Sequence, residues 1–338
     1  MYFPVNSKFA IDRLKTLLEK QPNSALAQRE LAEKYYQNNQ FTMAAQEYGK
    51  YIQNPNHFQI DEQRYVGLLN FAQDFQKSFD LATDILRRDP GNFYMERMQF
   101  INQNKLGNND AAKGYAETFF ANPKAVGNYV ANDYSTYGDI LVATGDTIKA
   151  IGAYEKAIEL QPDNAGRYKD LSDVYADAKN YGKSAELMQI YMEKSEKPSV
   201  NDKVVSARRL NNAAAVEEDE NVKKQYLNNA LDLVNSVLQE NINDKFPVAN
   251  LKSIILLGLN NQEMTPEVEQ SFGETLAILD ANPDNKVNRK NDYINLYNRL
   301  GQYYLKAGET EKAKEYLYKY LEYDPENEAL RKYLEGLK

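Results

Sequence analysis

The chain has no cysteine, no tryptophan and a single histidine in 338 residues. Without cysteine there is no disulfide, no thiolate nucleophile and no Cys-ligated zinc. The compartment stays open, since a cysteine-free chain survives in either redox environment. With one histidine, a Ser-His-Asp arrangement has one candidate base, His57. It lies in Asn54-Pro55-Asn56-His57, which reads as an exposed loop rather than a catalytic or metal site. Long apolar runs are also missing. A run such as Ile254–Leu257 falls far short of the roughly 20 residues of a spanning helix. No secretory signal is visible. Basic residues are in deficit, 41 against 49 acidic, for a net charge of −8. A nucleic-acid binder neutralises phosphates with surplus Lys and Arg, so no nucleic-acid partner is expected. Carboxylates are everywhere, but none stands at a spacing that marks a glycosidase-like pair. No motif calls for a cofactor.

What is present is a repeat. Tyr134, Tyr137, Leu141, Ala150, Tyr154 and Ala157 recur as Tyr168, Leu171, Tyr175, Ser184, Met188 and Tyr191. Each step is 34 residues. A fixed period of that size marks stacked helix pairs. Proline punctuates the same rhythm at Pro22, Pro55, Pro90, Pro123, Pro162, Pro198, Pro283 and Pro325. Their spacings are 33, 35, 33, 39, 36, 85 and 42, and the gap of 85 reads as two units with one proline lost. Proline cannot continue a helix, and it pushes the preceding residue out of the helical region.

The chain then divides in order. Residues 1–22 hold half a unit, with Ala10, Leu14 and Leu17 before Pro22. A stack cut in mid-unit exposes an apolar face, so an N-terminal end trimmed upstream is expected. Residues 23–197 read as five units, with Asn38-Asn39, Gly107-Asn108-Asn109 and Gly145-Asp146 as turns inside pairs. Residues 198–285 read as two divergent pairs, helical from Val204 to Val216, Tyr226 to Leu238, about 247–260 and about 266–281. The acidic run Glu217 to Glu220 between them reads as a solvated turn. Residues 286–325 return to the strict pattern, with a turn at Gly308-Glu309. Residues 326–338 place Leu330, Tyr333, Leu334 and Leu337 on one helical face, as a capping helix requires.

On these residues the chain resembles the tetratricopeptide repeat family. That pattern has a large residue at position 4, Leu-Gly at 7 and 8, Tyr at 11, Ala at 20, an aromatic at 24, Ala at 27 and Pro at 32. One unit matches with Tyr134, Tyr137-Gly138, Leu141, Ala150, Tyr154, Ala157 and Pro162. Another matches with Tyr297, Leu300-Gly301, Tyr304, Ala313, Leu317, Tyr320 and Pro325. The resemblance implies an all-α, right-handed α-superhelix (an α-solenoid) of antiparallel helix pairs. Small residues such as Ala44, Gly138, Ala150, Gly301 and Ala313 are expected where paired helices approach. Most of the 26 tyrosines fall on core positions.

The resemblance also implies a concave groove lined by the first helix of each pair. Its candidate contact residues are Arg29, Glu33, Gln37, Gln63, Asn70, Phe71, Arg97, Asn104, Ser135, Asp139, Lys169, Asp173, Asp177, Asn298 and Gln302. The set is mixed in charge and rich in amides, which suits an extended peptide or a partner loop. Some family members hold a chaperone's terminal carboxylate with Lys at position 5 and Asn at 9. Here Lys169 is followed by Asp173, which would repel a carboxylate. The expected function is a non-enzymatic scaffold for protein or peptide partners. The alternative is a structural part of a larger envelope or membrane-associated assembly, docking by its convex face or N-terminal end. An enzyme is the third reading, disfavoured because repeats account for every segment. The Asn, Gln and Tyr-rich composition suits a bacterial periplasm or cell envelope, with the cytoplasm also open. Oligomeric state is open.

Overall fold

The computed structural model describes residues 7–337. Among them there are nineteen α-helices and no strand. The first helix, α1 (Ser7–Lys20), stands before the pairs. The next are α2 (Ala25–Gln37) with α3 (Phe41–Gln53), and α4 (Asp61–Phe71) with α5 (Phe75–Arg88). Then come α6 (Phe93–Lys105) with α7 (Asn109–Ala121), and α8 (Ala131–Ala143) with α9 (Thr147–Leu160). They are followed by α10 (Ala165–Asp177) with α11 (Tyr181–Lys194), and α12 (Val200–Val216) with α13 (Glu220–Leu238). The last are α14 (Phe246–Leu259) with α15 (Pro266–Asp280), the short α16 (Asn285–Asn288), α17 (Lys290–Lys306) with α18 (Thr310–Tyr323), and α19 (Glu328–Gly336). The fold is an all-α solenoid of antiparallel pairs. Its helices fall into two compact units, divided between Arg167 and Tyr168.

The turn inside six of the pairs is built the same way. The backbone N–H groups of Gln40, Asp74, Asn108, Asp146, Asn180 and Glu309 reach back five residues to a carbonyl at 2.8–3.0 Å. This is the six-to-one bond of a Schellman stop, which needs a left-handed residue just before the donor. Gly145 (φ 79°) and Gly308 (φ 76°) supply it without steric cost. Gln73 (φ 64°) and Lys179 (φ 59°) hold the same place with a side chain, so the turn is set by its hydrogen bonds and not by glycine alone. The next residue then starts the second helix. Asp74, Asp146 and Asn180 accept from the backbone N–H three residues on, which satisfies an otherwise orphan donor.

Within a pair the helices meet at small residues. Ala44, Ala112, Ala150 and Ala313 are fully buried. At Gly138 on α8, an added Cβ would lie 2.9 Å from the Tyr154 ring on α9. At Gly301 on α17 it would lie 2.5 Å from Leu317 on α18. The core is a series of local clusters, because each pair touches only its neighbours. In the first unit one cluster gathers Leu31, Tyr35, Tyr48 and Tyr51, and another Phe100, Ala116, Phe119 and Ile140. In the second unit Leu210, Leu227, Val234 and Ile255 form one cluster, and Phe272, Tyr293, Leu300 and Tyr304 another.

Three details depart from the sequence reading. Pro123 opens a single 3₁₀ turn, Pro123–Ala125, instead of only ending α7. The acidic run does more than face water. Glu217 accepts from the N–H groups of Glu218 and Asp219, and Asp219 caps α13 through the N–H groups of Asn221 and Val222. Negative charge there also meets the positive end of the helix dipole. His57 is not an exposed loop residue. Its Nδ1 lies 2.8 Å from the Asn54 carbonyl and its Nε2 3.2 Å from Glu62 Oε1, because the Asn54–His57 turn folds back onto α4.

The glycine contacts make a direct prediction. Gly138→Ala and Gly301→Ala are each expected to destabilise by about 1–3 kcal/mol through overpacking. Gly152→Ala, with nothing within 4 Å of its added Cβ, is expected to stabilise by up to about 1 kcal/mol from helix propensity. Urea titration followed by circular dichroism checks both signs.

Candidate partner-binding face

The first helices of successive pairs are neighbours. In the first unit α4 lies against α6 and α6 against α8. In the second unit α12 lies against α14. Polar rungs tie these helices together, and several predicted face residues form them. Glu33 on α2 takes both Nε and Nη2 of Arg64 on α4, at 2.9 and 2.8 Å. Asn70 on α4 donates to Asn102 on α6 at 2.8 Å, and Asn102 in turn donates to Ser78. Asp173 on α10 accepts from Arg209 on α12 at 2.8 Å.

The three predicted cations are all committed to buried carboxylates. Arg29 holds Asp61 with Nε and Nη2 at 2.7 and 3.2 Å. Arg97 holds Asp133, with Nε–Oδ1 at 2.8 Å and Nη2–Oδ2 at 2.9 Å. Lys169 holds Asp202 at 2.6 Å. The carboxylates are only 6%, 1% and 5% exposed, and an unpaired charge in such a place would be costly. Each cation is the fifth residue of its first helix, and each aspartate lies in the first turn of the first helix of the next pair. A helix N-terminus favours that negative charge.

The surrounding groups repeat too. Tyr51 and Tyr191 donate their phenols to Asp61 and Asp202 at 2.7 and 2.9 Å. The equivalent Phe119 has no hydroxyl, and the Arg97 guanidinium lies 5.3 Å from its ring centre. The second N–H of Arg97 Nη2 goes to the Asn128 carbonyl at 2.7 Å. Asn54 and Asn122, at the ends of α3 and α7, reach back to Gln28 and Glu96 at matching sites. The cations stand 68 and 72 residues apart and the aspartates 72 and 69. A second, doubled period of two helix pairs therefore overlies the period of 34. The sequence reading missed it, although the recurring Arg/Arg/Lys and Asp/Asp/Asp sets were visible.

The other predicted residues lie as follows. Asp139 accepts from the Tyr154 phenol at 2.5 Å, and Ser135 donates to the Asn132 carbonyl. Gln37 is exposed and accepts from Lys34. Asp177, Asn298 and Gln302 are exposed, and Gln63 and Asn104 half-buried. Phe71 is 54% exposed. Its ring stacks on Phe41 at 5.2 Å and tilts against Tyr36 at 5.9 Å, while the Arg64 guanidinium sits 4.8 Å from the centre of the Tyr36 ring. This aromatic cluster is the most apolar part of the face in the first unit. Among the described residues no cluster of three or more His, Asp or Glu is placed to hold a metal ion. Among them no helix is long and apolar enough to cross a membrane.

A family profile, described as the tetratricopeptide repeat, matches residues 134–164 and 294–327. Those two stretches are tetratricopeptide repeats. Such repeats generally mediate protein–protein interaction, and proteins built from them are typically non-enzymatic scaffolds. This tetratricopeptide-repeat chain is similar to the C-terminal part of a TPR repeat-containing protein from Cytophaga hutchinsonii. The two are 14% identical, with a TM-score of 0.58, over 82% of this chain and 99% of that one. A tetratricopeptide repeat protein from Parabacteroides merdae is 13% identical, with a TM-score of 0.45, over 81% of this chain and 96% of that one. MamA from Desulfovibrio magneticus RS-1 is 17% identical, with a TM-score of 0.45, over 50% of this chain and 94% of that one. No curated protein matches the chain.

Two predictions concern the clamps. Arg97→Met leaves Asp133 buried without its cation and is expected to cost about 3–5 kcal/mol, read as a lower urea midpoint. The second concerns acid. Burial pushes the Asp202 carboxyl up, but hydrogen bonds from Lys169, the Ser199 hydroxyl and N–H, and Tyr191 outweigh it. Its folded value lies well below the ordinary carboxylate range. Stability from this group is therefore full above the unfolded value of about 4 and is lost as pH falls toward the folded one. Asp202→Asn is expected to destabilise the protein at neutral pH and to flatten the decline of stability below about pH 4. Melting temperatures of both proteins across that range check the slope.

Proposed function

We propose that the chain is a non-enzymatic scaffold that holds a protein or peptide partner against its first-helix face. The supporting observation is how the polar groups on that face are shared out. Arg29, Arg97 and Lys169 are consumed by internal clamps. The side-chain amides of Gln63 and Asn104 in the first unit, half-buried, and of Asn298 and Gln302 in the second, exposed, make no hydrogen bond among the described residues. Phe71 adds a half-exposed ring. Amides that both donate and accept, beside an open aromatic ring, suit an extended backbone. A fixed array of this kind loses little entropy on binding. The partner is a protein or peptide by this reading, and the chemistry is recognition.

The test uses residues outside the clamps. Partners are captured from source-cell lysate with the intact chain, with Gln63→Ala/Phe71→Ala/Asn104→Ala, and with Asn298→Ala/Gln302→Ala. The amide changes are expected to alter stability by no more than about 0.5 kcal/mol each and Phe71→Ala, which loses its ring stack, by about 0.5–1.5 kcal/mol, which a thermal melt measures. A partner lost from either variant supports the reading. A partner captured equally by all three proteins sinks it and favours the assembly role, with docking by another surface.

A further inference from the structure

The pocket beside Phe71 supports a narrower reading, which rests on the face proposed above. It lies in the first unit, between α2, α4 and α6, with a volume of about 250 Å³. Tyr36, Phe71 and Tyr94 form its aromatic walls, and Gln63 and Arg64 stand at its edge. Gly67 opens its floor, since a Cβ there would lie 3.0 Å from the Tyr94 hydroxyl oxygen. Phe71 is held in place by its stack on Phe41 and still leaves half its surface open.

The polar character of the lining is one-sided. The Tyr36 and Tyr94 hydroxyls and the Gln63 amide make no hydrogen bond among the described residues. Arg64 is the one charged residue of the lining, and Glu33 fixes its guanidinium over the Tyr36 ring. Burial pushes the Tyr94 hydroxyl up, against a smaller opposing pull from Arg97 and Arg64, so it keeps its proton and stays a donor. The site therefore offers aromatic faces with O–H and N–H donors, and no carboxylate stands in its lining. Its complement is a flat apolar group flanked by acceptors.

A proline-containing chain has that chemistry. The prolyl ring is apolar, its nitrogen carries no hydrogen, and its polar backbone group is a carbonyl acceptor. In the polyproline II conformation these carbonyls are free of internal hydrogen bonds and point outward. The conformation is already formed in the free chain, so little entropy is lost, and aromatic-lined grooves take such segments on this principle. We propose that the Tyr36–Phe71–Tyr94 pocket takes a proline-containing segment of a partner protein. The prolyl ring lies against Phe71 and Tyr94, and backbone carbonyls accept from the Tyr94 hydroxyl and the Gln63 amide.

Isothermal titration of the full chain with an acetylated, amidated decaproline peptide tests this, with a (Gly-Ser)5 peptide of equal length as control. Decaproline is expected to bind and the control not. Phe71→Ala and Gly67→Leu are each expected to weaken decaproline binding at least tenfold, with Tyr94→Phe a few-fold. Phe71 is half-exposed, so Phe71→Ala remains folded and informative even if Gly67→Leu does not. Absence of decaproline binding, or equal binding by the intact chain and Phe71→Ala, overturns the proposal. Displacement of nothing but a neutral oligosaccharide by these substitutions also overturns it and assigns the pocket to sugar. A protein partner retained by Phe71→Ala but lost with Asn298→Ala/Gln302→Ala overturns this pocket while leaving the scaffold reading standing.

Discussion

Two helices approach closely only where one of them carries almost no side chain, and four of the pairs here are visibly built on that constraint. Gly138 admits the flat of the Tyr154 ring, and Gly301 admits Leu317. Fully buried alanines do the same at Ala44, Ala112, Ala150 and Ala313. Close approach then sets the turn. The chain must reverse within a few residues, which the Schellman bond and a left-handed residue achieve. Once the pair is fixed, its remaining apolar surface has one way to be covered, which is by the next pair. Local close packing therefore comes first, and stacking follows from it.

This order explains what could be read in the sequence. The contact residues within a pair are near one another in the chain, so the pattern of Gly138 with Tyr154 recurs as Gly301 with Leu317 and reveals the period. Helix stops were equally legible, because proline and glycine act on the backbone directly. The turns at Gln73 and Lys179 were not, since neither residue type announces a left-handed conformation. The clamps were hidden for a different reason. Arg97 and Asp133 lie 36 residues apart on separate helices, and an aspartate is usually exposed. Nothing local marks Asp133 as buried. The one available signal was the same cation and the same aspartate returning after two helix pairs.

The clamps change what the face can recognise. A cation on a first helix looks, from sequence, like a free contact for an acidic partner. Arg29, Arg97 and Lys169 instead neutralise aspartates that the stacking has buried. Lys169 is thus engaged before any ligand arrives, quite apart from the repulsion expected of Asp173. A carboxylate-binding arrangement of the sort known in the family would have to pull Lys169 off Asp202. That exchange gains nothing, because the buried aspartate would be left uncompensated.

The geometry of the clamps also decides where the face stays open. They sit near the N-terminal ends of the first helices, at the fifth residue of one and the first turn of the next. Some of the uncommitted groups lie at the opposite ends. Phe71 is the last residue of α4, Asn104 the penultimate residue of α6, and Phe41 opens α3 beside the end of α2. The N-terminal ends of α4 and α6 are pinned by charge, and their C-terminal ends carry Phe71 and Asn104. On the function proposed above, recognition there would run on hydrogen bonds and stacking, which salt screens little, whereas exposed charge pairs fade beyond about 8 Å at physiological ionic strength. The charges hold the scaffold together, and the neutral groups are what they leave available to a partner.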